Sequence, residues 1–115
     1  MSTVAKGNYY RLKTKKFYEA EGYEVVTSEI RKPMPIKGKL IWISVDMFAS
    51  DLIAMNGKDV LFIQVKANRH DVPSAIKEFN KHKFPPTVKP IVVWWPERAQ
   101  QPEVFEVGSE VIAEE

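Results

Sequence analysis

Two apolar runs, Asp51–Met55 and Val60–Val65, are separated by Asn56, Gly57, Lys58 and Asp59, and no other segment restricts the fold of this 115-residue chain as tightly. Asparagine and glycine ahead of two polar residues are turn chemistry, and apolar runs on either side of such a turn fold back as a β-hairpin. Residues alternate across a strand, so Gln64 and Lys66 share one face while Ile63 and Val65 share the other. A four-residue turn pairs Met55 with Val60 and sets Asp51 opposite Gln64. A two-residue Asn56-Gly57 turn sets Asp51 opposite Phe62 instead, diagonal to Gln64 and still on its face. Either register brings an acid, a carboxamide and an ammonium to one side of the hairpin; only an odd-numbered loop sends Asp51 to the far side.

The rest of the chain reads as alternating elements. Asn8–Glu21 lacks proline and internal glycine, and Tyr10, Phe17 and Ala20 fall near one helical face with Leu12 close by, which predicts a helix stopping at Gly22. Tyr23–Ile30 is rich in β-branched residues and reads as a first strand. Residues 31–39 hold Pro33, Pro35, Gly38 and four cations, and read as a mobile basic loop. Leu40–Val45 is a second short strand, continued by the first run of the hairpin. Asp71–Lys83 reads as a second helix, with Pro73 in its first turn and Ala75, Ile76 and Phe79 turned inward. Ile91–Trp95, bounded by Pro90 and Pro96, is a buried strand, and Val104–Val107 a last edge strand. Trp94 and Trp95 alternate across their strand, so at least one belongs in the core or in a subunit interface. The expected fold is α/β, one domain over residues 1–115 with a mixed central sheet flanked by helices in the order αβββαββ. Residues 108–115 form an acidic tail.

The chain has no cysteine, which removes disulfides, thiolate zinc sites and cysteine nucleophiles and leaves oxygen or imidazole to hold any metal. No apolar run reaches membrane-spanning length, and Met1–Arg11 lacks a signal-peptide core, so the expected location is cytoplasmic and no membrane partner is expected. The charges are sorted along the chain. Residues 1–40 carry nine basic and four acidic side chains, whereas residues 84–115 carry two basic and six acidic ones. The basic set, Lys6, Arg11, Lys13, Lys15, Lys16, Arg31, Lys32, Lys37 and Lys39, suits a phosphate backbone, and Arg69, which follows the second hairpin strand, extends it.

Burying Asp51, Gln64 and Lys66 in apolar strands is costly unless something pairs them. A divalent cation does so: magnesium, or manganese in its place, prefers hard oxygen ligands, and a carboxylate with a side-chain carbonyl supplies them. The lysine ammonium then orients the attacking water, assists its deprotonation and balances charge in a phosphoryl-transfer transition state. The candidate catalytic residues are therefore Asp51, Gln64 and Lys66, with Asp51 and Gln64 on the metal. Asp46, near Asp51 in sequence, is the first candidate for a further metal ligand, ahead of Ser44 and Glu21.

Asp51 and Gln64-Val65-Lys66 on a hairpin after a basic first helix resemble the PD-(D/E)xK nuclease superfamily, with Gln64 in the place of its usual acid. The element order, the small size, Lys6-Gly7 before the first helix and Asp51-Leu52-Ile53-Ala54 look most like archaeal-type Holliday junction resolvases, including phage relatives, over residues 6 to about 95. The resemblance implies a restriction-endonuclease-like core and a homodimer that binds four-way DNA junctions and cuts paired strands with magnesium. Two further positions depart from the pattern. The family's helix-one glutamate is absent, the nearest residues being Tyr10 and Arg11, and Ser50 replaces the proline before the metal aspartate. These departures keep open another nuclease of the same fold, acting on flaps, lesions or restriction sites, and a DNA-binding module without catalysis.

Overall fold

Strand β5 (Val60–Lys66) is the middle strand of a five-stranded sheet, bordered by β4 (Leu52–Met55) and β6 (Val88–Trp94). The computed structural model describes residues 3–28, 30–45 and 48–107, with side chains for 5–28, 33–42 and 48–107. The remaining elements are α1 (Thr3–Ala20), β1 (Glu24–Thr27), β2 (Ile30–Ile36), β3 (Lys39–Val45), α2 (Val72–Asn80) and β7 (Glu103–Glu106). The sheet runs β1-β4-β5-β6-β7, antiparallel at every step except β5 beside β6. A parallel pair needs a crossover, and α2 is that crossover. The architecture is mixed α/β, with two helices and a mixed sheet. With β2 and β3 set aside, its order is αβββαββ.

Alternation along β5 and β6 divides the core into two layers. Leu61, Ile63, Ile91, Val93 and Trp95 pack with Leu52, Ala54 and Val25 beneath Tyr18 of α1. Phe62, Val92 and Trp94 pack against Val72, Ala75 and Phe79 of α2. The central strands are thus covered on both faces, which explains why β6 reads as a continuous apolar run rather than an alternating one. Trp95 is the core tryptophan.

Helix α1 starts earlier than expected, so Lys6 and Gly7 lie inside it. Its inward stripe is Tyr10, Thr14, Phe17 and Tyr18, with Leu12 and Ala20 exposed. Thr14 is fully buried because its hydroxyl has two partners: it donates to the Tyr10 carbonyl at 2.7 Å and accepts from Trp95 Nε1 at 2.8 Å. That link ties the helix to the end of β6.

Residues 31–39 are not an irregular loop. Strands β2 and β3 form a separate two-stranded hairpin, turning at Lys37 and Gly38, both with positive φ (50° and 79°). Such a two-residue turn makes Ile36 and Lys39 a hydrogen-bonded pair. Pro33 and Pro35, opposite Trp42 and Leu40, then fall at positions whose amides point away from β3, where a missing N–H costs the hairpin nothing. Both faces of this arm carry exposed apolar groups, Met34, Ile36 and Ile41 on one and Leu40 and Trp42 on the other. Nor does β3 continue into β4: positive φ at Phe48 (50°) and Ala49 (65°) turns the chain between them. The acidic residues 108–115 lie outside the described residues. No helix among the described residues is long and apolar enough to cross a membrane.

Two outcomes follow from this core. Thr14→Val strands the Trp95 indole N–H and is expected to cost about 1–3 kcal/mol, with Thr14→Ser retaining most of the stability, as read by urea unfolding. Burial, reinforced by Tyr23, Glu21 and Glu106, pushes the Tyr18 hydroxyl from 10.0 up to about 12. The unfolded chain therefore ionises first, and stability falls between pH 10 and pH 12 by an amount on the order of 2 kcal/mol. Tyr18→Phe is expected to flatten that part of the stability–pH curve.

Candidate active-site cleft

The hairpin takes the four-residue register: Met55 pairs with Val60 and Leu52 with Ile63. The Asn56 side chain closes the turn, its Oδ1 accepting from the amides of Lys58 (3.0 Å) and Asp59 (2.8 Å). Just ahead of β4 the regular ladder ends: Asp51 is a bend residue whose amide donates to the Ile63 carbonyl, the partner of Leu52, at 2.7 Å, so the expected Asp51–Gln64 pairing does not form. Its own carbonyl accepts from Ser28 N at 3.0 Å, so the Asp51 backbone is held from two sides. The carboxylate Oδ2 then accepts from Val65 N at 2.9 Å, extending the strand ladder with a side-chain oxygen. A 9 % exposed carboxylate is thus fixed beside the residue that separates Gln64 from Lys66.

Ser50 has a structural explanation. It is fully buried, its hydroxyl donates to Ser28 Oγ at 3.0 Å, and its carbonyl accepts from that serine's hydroxyl at 2.5 Å. The pair joins the end of β1 to the approach of β4. The left-handed Phe48 and Ala49 lead into it, each at a cost of roughly 1–2 kcal/mol.

Gln64 and Lys66 open onto a cleft of about 340 Å³, lined also by Ala49, Ser74, Ala75, Glu78 and His82. Asp51 is not in that lining; it is buried at the backbone of β5. The cleft lies on the α2 side of the sheet, toward the carboxyl ends of the parallel strands β5 and β6, where open α/β sheets commonly bind ligands. Gln64 Oε1 is buried and has no hydrogen-bond partner among the described residues. A buried amide oxygen without a donor is unfavourable, and a hard cation satisfies it. A carboxylate such as Asp51 and an amide oxygen are donors of the kind magnesium or manganese accepts, and among the described residues no group of three or more acidic or histidine side chains gathers around them.

Asp46 and the side chains of Ser44, Arg31 and Lys32 lie outside the described residues. Glu21 precedes β1 at the end where Glu24 pairs with Met55, opposite the Asp51 end, which removes it as a cation ligand. Ser74 and Glu78 escaped the sequence reading. Their i,i+4 spacing on α2, bordering the inward Ala75 and Phe79, was the available signal.

The expected phosphate contacts separate into groups. Lys6 and Arg69 line one depression with Tyr10, Asn68 and Trp94, immediately past the end of β5. Arg11 and Lys15 line another with Asn8, Thr27 and Leu52, beside the start of β4. Lys15 also pairs with Glu19 at 3.8 Å, and Arg69 lies over the rings of Trp94 and Phe105. Lys16, Lys37 and Lys39 are exposed. Lys13 is committed to the fold: its Nζ sits 4.4 Å from the Trp95 ring centroid and donates to the Ala99 carbonyl at 3.3 Å.

A scan against protein-family models finds no match for this chain, and a search of the curated proteins finds none either.

Asp51→Asn keeps an oxygen for the Val65 amide, whereas Asp51→Ala leaves that amide unpaired. The alanine variant is expected to be less stable than the asparagine variant by about 1–3 kcal/mol in urea unfolding, which makes asparagine the suitable probe of chemistry.

Proposed function

We propose that this protein is a metal-dependent DNA endonuclease that acts on four-way junctions as a homodimer. The observation that carries the chemistry is the buried, partnerless Gln64 Oε1 on the strand where the Asp51 carboxylate is anchored, with Lys66 opening onto the same cleft. The αβββαββ order of the main sheet and its helices supports a restriction-endonuclease-like reading of the fold. The preference for junctions, the paired cuts and the dimer rest on the sequence resemblance.

Asp51 and Gln64 would hold magnesium, or manganese in its place, which when bound polarises a phosphoryl oxygen as a Lewis acid. Lys66 orients the attacking water and donates hydrogen bonds to the non-bridging phosphate oxygens as negative charge grows there. Lys6 with Arg69, and Arg11 with Lys15, flank the strand ends and hold the phosphates on either side of the scissile bond. Such contacts position DNA without reading its sequence, which suits recognition by shape.

The test compares metal-dependent cutting of a four-way junction, a linear duplex and a flap. Faster cutting of the junction supports the proposal, and equal cutting of all three removes the junction preference. Lys66→Ala and Asp51→Asn are expected to lower the cleavage rate by roughly 10²–10³-fold while junction binding persists. Junction binding by the unaltered protein without metal-dependent cleavage would instead identify a DNA-binding module of the same fold.

A further inference from the structure

Asp51 and the neutral Gln64 give a divalent cation only one negative charge, and affinity for such ions rises with the number of charged ligands. Asp51 lies outside the cleft lining, but another carboxylate faces the cleft onto which Gln64 opens. Glu78 of α2 lines it together with Gln64 and Lys66, and Ser74 lies one helical turn before Glu78 on that side of the helix. We propose that Glu78 supplies the second carboxylate of the cation site, reaching from α2 the ion whose other proposed ligands are Asp51, just ahead of β4, and Gln64 of β5. This inference rests on the proposed cation site and assigns to a helix the charge that residue 64 lacks.

The surroundings of Glu78 suit the role. Its carboxylate pairs with Lys81 at 3.0 Å, a contact between two exposed side chains at i,i+3, and such surface pairs hold their partners weakly. A divalent ion next to Gln64 Oε1 competes for the same oxygens with twice the charge. The buried amide oxygen behind the proposed cation belongs to a residue that lines this cleft with Glu78, and no donor among the described residues satisfies it. The chain between Lys66 and Glu78 passes through a single turn of 3-10 helix, Arg69–Asp71, before α2 begins, so strand and helix are joined directly across the cleft.

The test is Mn2+ binding to the full chain, followed by the electron paramagnetic resonance of the free ion, with cleavage of a four-way junction measured in parallel. Glu78→Gln is expected to weaken Mn2+ binding roughly tenfold or more, with the far-UV circular dichroism unchanged. Adding Gln64→Glu to that variant is expected to restore binding by moving the charge across the cleft. Gln64→Glu alone is expected to tighten binding at an unchanged stoichiometry of one ion, a reading that does not depend on how Glu78→Gln folds. Lys81→Ala is expected to leave binding equal or tighter, which separates a ligand from a mere ion-pair partner.

Unchanged Mn2+ affinity in Glu78→Gln, or a second ion bound by Gln64→Glu, would overturn the assignment while leaving an observed metal-dependent cleavage intact. Mn2+ binding that depends on Glu78 without any DNA cleavage would uphold the assignment and remove the endonuclease reading. No Mn2+ binding by the unaltered chain would remove both.

Discussion

The Asn56 carboxamide oxygen accepts two backbone amides and so fixes the β4–β5 turn at four residues. An even loop is what sets Leu52 and Ala54 with Leu61 and Ile63 in one layer and so leaves Gln64 and Lys66 on the other side of the sheet, because adding or removing one residue exchanges the two faces of a strand. With that parity set, the Asp51 backbone is gripped by Ser28 and Ile63 and its carboxylate by Val65. The polar end of β5 is therefore a product of ladder geometry, with a side-chain oxygen standing where the next carbonyl of β4 would have been.

Strand β5 changes character along its length. Its first half is packed from both sides, by Leu61 and Ile63 against one layer and Phe62 against the other. From Gln64 onward the α2 side becomes polar and open to the cleft, while Val65 still packs on the opposite layer. A rigid, apolar foundation directly beneath polar side chains limits how far they can move, which is what the positioning of reacting groups demands. The Thr14–Trp95 hydrogen bond serves the same end of the sheet by pinning α1 to the residue that follows β6.

Much of this was legible because strand alternation has a strict period of two. The shared face of Gln64 and Lys66 follows from it, while the hairpin was announced by its Asn56-Gly57 turn, α2 by helical spacing after Pro73, and β6 by its unbroken apolar run. The separation of β3 from β4 was hidden, since Phe48 and Ala49 adopt left-handed backbone that neither glycine nor proline announces. Thr14 was overlooked on the buried stripe of α1 because an apolar pattern skips a hydroxyl that finds its partners only in the tertiary structure. Glu78 was overlooked because its nearness to Gln64 depends on how α2 settles on the sheet, which local sequence does not encode. Pro33 and Pro35 suggested irregular chain, yet their two-residue spacing lets both fit one strand on the side that needs no donor.

Those two prolines also decide how the β2–β3 arm can meet other molecules. The outer border of β2 lacks two of the amide hydrogens that an incoming strand would need, and the pyrrolidine rings stand in its path. An arm greasy on both faces is thereby protected against strand-by-strand extension from its β2 edge. Whatever settles on it must do so side chain against side chain, or along the free border of β3.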